Sequence, residues 1–172
     1  MQIRKLEWKD FHDLVDAYLS YHDEVATNPT LGLMLYASMP TIASETAWFS
    51  KFYRGVLEGD AVAYVAEVDG KAVGMCSVER RGPADEQRHR GNFGIAIRKE
   101  HRDRGIGTAL ISKVLEECKG RFEVIELTVF SNNDRAKHLY SKFGFKKTGH
   151  NPRAVKRGST YYDEDYMALA IG

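Results

Sequence analysis

The segment Arg102-Asp103-Arg104-Gly105-Ile106-Gly107-Thr108 lies between a strand-like stretch, Asn92 to Ile97, and a helix-like one, Ala109 to Leu115. Strand, glycine-rich turn and helix in that order confine the chain to folds in which a sheet hands over to a helix N-terminus. The first turn of such a helix leaves backbone N–H groups without intrahelical partners, and the macrodipole adds partial positive charge there. Acidic side chains normally occupy that position. Arg102 and Arg104 stand just before it instead, which is unfavourable unless an anion such as a phosphate arrives. Gly105 and Gly107 allow a sharp turn and a close approach of backbone to ligand, so a valine at 107 would stand where phosphate is expected. A surface loop with its arginines in water is the competing reading.

Among phosphate-binding patterns, a P-loop requires Gly-Lys-Ser/Thr, whereas Gly107 is followed by Thr108-Ala109, which excludes it. A dinucleotide fold wants a third glycine or alanine three residues on, where Leu110 stands, and most of its sheet downstream of the motif. Here most strand-like segments come before it.

Gln2 to Leu6 reads as a short first strand. Apolar residues at Trp8, Phe11, Val15, Tyr18, Leu19 and Val25, with aspartates between them, predict an amphipathic helix from Trp8 to Val25. Thr27 to Thr30 breaks it. Leu31 to Pro40 is apolar and punctuated, either core or an apolar wall over a ligand. Ser44 is expected to cap a second helix, with Glu45 well placed in its first turn and Trp48, Phe49, Phe52, Tyr53 and Val56 as its stripe. Asp69-Gly70 between Ala61–Val68 and Lys71–Glu79 predicts an antiparallel hairpin, because both turn residues tolerate positive φ. A strand from Arg88 to Arg98 enters the glycine loop, and the helix after it stops at Lys119-Gly120. Val124 to Phe130 is β-rich, a fourth helix runs from about Asn132 to Phe143, and Phe145 opens another strand. Asn151 to Ser159 is basic and reads as a loop; Tyr166 to Ile171 closes the chain as a strand. The sum is an α/β (α+β) domain over residues 1–172, a mixed central sheet of about six or seven strands with helices on both faces.

Composition excludes several functions. A formal net charge of +1 argues against bulk-charge recognition of nucleic acid. No apolar run reaches membrane-spanning length, and Met1 to Lys5 lacks the apolar core of a signal peptide, so a cytoplasmic protein without membrane contact is expected. Cys76 and Cys118 lack metal-ligand spacing and are expected to be reduced and buried; no metal is expected.

A second pattern decides among the anions. Arg102-x-x-Gly105-x-Gly107 is followed by Asn133-x-x-Ala136-x-x-Leu139-Tyr140-x-x-x-Gly144-Phe145, and together they resemble the acetyl-CoA-binding core of the GNAT superfamily of N-acetyltransferases. The resemblance is clearest over residues 93 to 145, and the flanking element order agrees with it. It implies a splayed pair of parallel strands holding acetyl-CoA, with Ile97, Arg98 and Lys99 on the strand edge that pairs with the pantetheine arm. The pyrophosphate would take backbone N–H bonds from Arg102, Arg104, Gly105, Ile106, Gly107 and Thr108, the arginines adding charge. Asn133 matches the family asparagine that binds the cofactor arm, although Ser131, Asn132 and Asn133 all suit a helix cap, and Ser131 with Asp134 reads as a capping box. Tyr140 matches the proton donor to the leaving thiolate, or else completes an apolar stripe. The implied reaction is direct acetyl transfer to a primary amine, small molecule or protein, in an enzyme that is often a homodimer.

The general base is missing from its usual place, since Asn92-Phe93-Gly94-Ile95-Ala96-Ile97 holds no acid. Glu79 is the first substitute, His89 the second and a water chain the third. That gap keeps a second reading open, a regulatory domain that binds acyl-CoA without turning it over. The acceptor is expected to lie between Thr27–Thr41 and Asn151–Tyr162, with Asp23 and Glu24 near enough to suit a cationic amine.

Overall fold

The computed structural model describes residues 1–33, 35, 39–82 and 85–171. Its elements are β1 (Gln2–Lys5), α1 (Phe11–Thr27), α2 (Ile42–Glu58), β2 (Ala61–Val68), β3 (Lys71–Arg80), β4 (Arg90–Ile97), α3 (Ile106–Cys118), β5 (Val124–Phe130), α4 (Asp134–Lys142), β6 (Lys146–Arg157) and β7 (Thr160–Ala170). The strands form one seven-stranded sheet in the order β1-β2-β3-β4-β5-β7-β6. Every pairing is antiparallel except β4 with β5.

Two apolar layers clothe the sheet. Ile106, Leu110, Ile111 and Val114 of α3 pack with Val62 and Tyr64 of β2, Cys76 and Val78 of β3, and Ile125, Leu127 and Val129 of β5. On the other face, Phe49 and Phe52 of α2 meet Ala61, Ala63 and Val65, the alternate residues of β2. This is the period-two alternation of a strand buried on both sides. Cys76 and Cys118 are free thiols in the interior. The hairpin turn forms as expected, with Asp69 at φ 51° and Gly70 at φ 78°.

Local expectations fail in four places. The first helix opens with a separate one-turn 3-10 segment, Trp8–Asp10. The second is capped by Thr41, not Ser44: Ser44 N–H donates to Thr41 Oγ1 at 3.1 Å and Thr41 N–H donates to Ser44 Oγ at 3.0 Å, a reciprocal box that lengthens the helix. The Ser131–Asp134 capping box does not form; of the three cap candidates it is Asn133 that caps α4, accepting from Ala136 N–H at 3.1 Å. The basic stretch read as a loop from Asn151 is the outer half of β6, the sheet's edge strand, bulged between Asn151 and Val155 with Arg153 at φ 55°. Charged side chains and bulges are ordinary devices for protecting such an edge.

No helix among the described residues is long and apolar enough to cross a membrane.

Candidate active site

The parallel pair β4–β5 is joined only at Arg90↔Val124, Gly91↔Ile125 and Asn92↔Glu126. Beyond Asn92 the strands part, while β4 stays paired with β3 as far as Gly74↔Ile97. Residues Phe93 to Ile97 therefore present an open strand edge toward β5. A cavity of about 550 Å³ fills the gap, lined on the strands by Phe93, Gly94, Ile95 and Ala96 of β4 and Leu127 to Phe130 of β5. Gly94 and Ala96 pair with Ser77 and Met75 of β3, and these four small or flexible residues leave the space open on the α1 side.

The loop before α3 has the geometry of an anion cradle. Asp103 at φ 62° and Gly105 at φ 76° turn the chain so that the first intrahelical bond is Ala109 N–H to Gly105 C=O, 3.1 Å. The N–H groups of Ile106, Gly107 and Thr108 precede it and have no partner within the helix. No acid occupies that first turn. Arg104 is exposed there. Arg135, on the first turn of α4, joins the loop through a 2.7 Å ion pair with Asp103, a second guanidinium that its place in the sequence gave no reason to single out.

Two loop residues do other work than expected. The Arg102 guanidinium turns away from the helix end: it grips Glu24 at the end of α1, and its Nε donates to Ile97 C=O at 2.8 Å. Glu24 is thereby neutralised and is not left over for a cationic acceptor. Gly107 is small for packing, since a Cβ there would lie 3.3 Å from Leu139 and 3.6 Å from Ile97 side-chain atoms. A valine would strike α4 and β4 before it met a phosphate. Arg98 is likewise engaged, its N–H donating to Val73 C=O at 2.9 Å and its side chain reaching Asp13 C=O at 3.4 Å, and Lys99 begins a 3-10 turn.

Tyr140 and Asn133 both line the cavity. The Tyr140 ring stands edge-on to Phe93, centroids 5.6 Å apart, and its hydroxyl has no hydrogen-bond partner among the described residues. Burial pushes the phenol well above its ordinary value, and the Cys76 thiol acts in the same direction. Glu79 lies on the same face as Ser77 but beyond the cavity wall, exposed at the end of β3. The bulk of neighbouring segments raises its carboxyl, and Lys51 opposes that. His89 is exposed on a loop, its carbonyl accepting from Glu123 and Val124 N–H.

Three features of the cavity wall had no sequence signal. Glu45 of α2 and Glu164 of β7 are buried in the cavity wall. Arg157 of β6 donates to the carbonyls of Pro29 at 2.6 Å, Leu31 at 2.7 Å and Leu33, and so ties the loop after α1 to the sheet. Gly32, Leu33 and Leu35 of that loop line the cavity, as an apolar wall; Met34, Tyr36, Ala37 and Ser38 lie outside the described residues.

Known proteins resemble this chain in sequence and in fold. The chain is 34% identical over 106 residues to the L-amino acid N-acetyltransferase AaaT of Escherichia coli, covering 60% of this chain and 65% of that protein, just under two thirds of the relative's length. A ribosomal-protein-alanine N-acetyltransferase from Brucella melitensis superposes with TM-score 0.84 over 99% of both chains at 21% identity. A phosphinothricin acetyltransferase from Sinorhizobium meliloti, solved in complex with acetyl-CoA, superposes with TM-score 0.79 at 18% identity over 99% of this chain and 88% of that one. These two likenesses establish the fold. Residues 30–145 match the model of the Acetyltransferase (GNAT) family, and by that match the chain belongs to this family.

Proposed function

We propose that residues 1–172 form one acetyl-CoA-dependent N-acetyltransferase domain that acts directly on a primary amine. The observation that carries this is the parting of β4 from β5 after Asn92, which sets an unpaired strand edge, a cavity and a helix N-terminus side by side. An extended amide-bearing arm ending in a pyrophosphate fits that combination: the edge from Phe93 to Ile97 offers backbone pairing, and the N–H groups of Ile106, Gly107 and Thr108 with Arg104 offer an anion site. Asn133 and Tyr140 face the space between. When bound, acetyl-CoA supplies an activated acetyl thioester and a thiolate leaving group.

The chain's own residues handle the protons. Tyr140 remains protonated at neutral pH because burial disfavours its phenolate, so it serves as a donor to the departing sulfur and not as a base. The same dry surroundings raise the thiol's proton affinity, which keeps the transfer favourable. The proton released by the amine passes to Glu79 through water, since Glu79 continues the face of Ser77 beyond the cavity and its raised carboxyl is the better base for it. The apolar walls exclude bulk water and so protect the thioester from hydrolysis.

Thiol release from acetyl-CoA across a panel of amines, with Tyr140→Phe alongside wild type, tests the reading. Turnover with at least one amine is expected. Saturable acetyl-CoA binding without thiol release for any amine would instead indicate a regulatory acyl-CoA-binding domain.

A further inference from the structure

The cavity's charged lining has one sign. Among the described residues, Glu45 and Glu164 line it and no arginine, lysine or histidine does; the neighbouring Met34, Tyr36, Ala37 and Ser38 are uncharged by sequence. Glu45 is 6% exposed and Glu164 8%, and neither makes an ion pair or side-chain hydrogen bond with a described residue. Both belong to the acceptor side. Glu164 is in register with Phe130, and Phe130 and Thr128 alternate with Leu127 and Val129, which face α3. Glu45 extends from α2, which covers the same face.

Two carboxylates buried without an ion pair are costly to hold in the charged form, which is favoured where a cationic partner repays their lost hydration. Two arginines are already committed, Arg102 to Glu24 and Arg157 to three loop carbonyls, and neither acid has an ion pair with His22, which acts on Glu45 from outside the cavity wall. Desolvation raises both carboxyls above their ordinary range, and only His22, acting on Glu45, opposes it. The rest of the wall offers apolar surface and hydroxyls, from Trp48, Leu14, Tyr21, Ser77 and Thr128.

We propose that the acceptor is a small aliphatic amine that carries at least one further cationic nitrogen and no carboxylate, a diamine or polyamine, held by Glu45 and Glu164. This rests on the acetyl-transfer reading above and names its substrate class. An amino acid in this cavity would place its own carboxylate against two others with no cation in the wall. A diamine brings two amino groups joined by a methylene chain that suits the cavity's apolar lining. The second ammonium stays charged and paired while the reacting nitrogen is delivered neutral to the splay.

The test is kcat/KM, by thiol release from acetyl-CoA, for 1,4-diaminobutane and spermidine against n-butylamine and a set of L-amino acids, in wild type, Glu45→Gln and Glu164→Gln. Wild type is expected to favour the diamine over the matched monoamine by about ten- to hundredfold, the ratio for one charge-assisted hydrogen bond in a desolvated site. That ratio should collapse toward unity in one or both glutamine variants. Equal or better transfer to n-butylamine or to L-amino acids in wild type would overturn the proposal and leave the acetyltransferase reading intact. A diamine preference unchanged in both variants would overturn the assignment to these two acids. No transfer to any amine would overturn the acetyltransferase reading and this proposal with it. Thermal melts keep the variants interpretable, since replacing a buried unpaired carboxylate by an amide is not expected to lower the Tm.

Discussion

Arg102 and Glu24 form a two-pronged ion pair, Nη1 to Oε1 at 2.5 Å and Nη2 to Oε2 at 2.8 Å, that fastens the end of α1 to the loop entering α3. Their side chains are only 17% and 10% exposed, so the pair is little screened by solvent. With Nε also held by Ile97 C=O, the guanidinium fixes where β4 ends and the loop begins. The arginine that the sequence marks as a phosphate ligand thus positions the site from behind. Glu24→Gln and Arg102→Ala are each expected to cost about 2–3 kcal/mol in denaturant unfolding, because each strands a partly buried charge. Both should also weaken acetyl-CoA binding by calorimetry, with a double mutant less damaged than the sum. Tighter binding in Glu24→Gln, the result expected if Arg102 were freed to reach the pyrophosphate, would contradict the positioning role.

Gly107 is constrained by Leu139. A Cβ at 107 would approach Leu139 Cδ2 to 3.3 Å, so Gly107→Ala needs a small shift of α4 and Gly107→Val a larger one. The expected losses are below about 1 kcal/mol for alanine and about 1–3 kcal/mol for valine, the usual range for overpacking. Adding Leu139→Ala should recover part of the Gly107→Val loss in a thermal melt. A double mutant with no recovery would return Gly107 to the role of keeping a phosphate's path clear.

Tyr140→Phe removes one oxygen that has no hydrogen-bond partner among the described residues, so its stability is expected to change by less than about 1 kcal/mol. Its kcat should fall by about ten- to a thousandfold if the phenol is the proton donor. Unchanged turnover would reduce Tyr140 to its ring contacts with Phe93 and Phe145.

What could be read from the chain is what short-range physics encodes. Apolar stripes placed the helices, Asp69-Gly70 placed the hairpin, and the glycine loop placed the turn from β4 into α3, because each depends on residues a few positions apart. The outer half of β6 was misread since an edge strand needs charge and a bulge, which look like a loop in isolation. Ser131 was misread for a related reason: its hydroxyl donates to Asp165 at 2.8 Å, a partner on β7 that no local pattern announces, and the cap falls to Asn133. Glu45 reads as a first-turn acid, and Glu164 stands in Asp163-Glu164-Asp165 with no local pattern to single it out. Only the fold brings them to one cavity.

Asp165 supplies a pH-dependent part of the stability. Burial pushes its carboxyl up, but hydrogen bonds from Lys147 and His150, both at 2.8 Å, and from Ser131 outweigh that and hold it well below the usual carboxylate range. A depressed folded pKa means the unfolded chain takes up the proton first, near pH 4. The contribution is therefore present above that pH and lost progressively as pH falls toward the folded value. Asp165→Asn is expected to be less stable at pH 7 by about 2–3 kcal/mol, as for a carboxylate in a buried charged network, and to show a flatter decline between about pH 5 and pH 2. An unaltered acid limb in the variant would mean that the native network does not depend on the charge.

Arg157 tests how the acceptor cavity is roofed. Its guanidinium lies over the Phe130 ring, 4.9 Å from the centroid, and from there reaches the carbonyls of Pro29, Leu31 and Leu33. A planar fork of five donors can satisfy three carbonyls and stack on a ring at once; a lysine ammonium on its flexible stem cannot hold the same geometry. Arg157→Lys is accordingly expected to behave like Arg157→Ala, with KM for the amine raised severalfold and acetyl-CoA affinity changed by less than twofold, because the loop lines the cavity proposed for the acceptor, whereas the N–H groups of Ile106 to Thr108 proposed for the nucleotide are not part of that wall. Limited proteolysis should cut faster between Asn28 and Leu35 in both variants, since the loop's carbonyls would then bond water in place of protein. A lysine variant with wild-type KM and wild-type proteolysis would show that charge alone holds the loop, whereas loss of acetyl-CoA affinity in either variant would place Arg157 in the cofactor's half of the site.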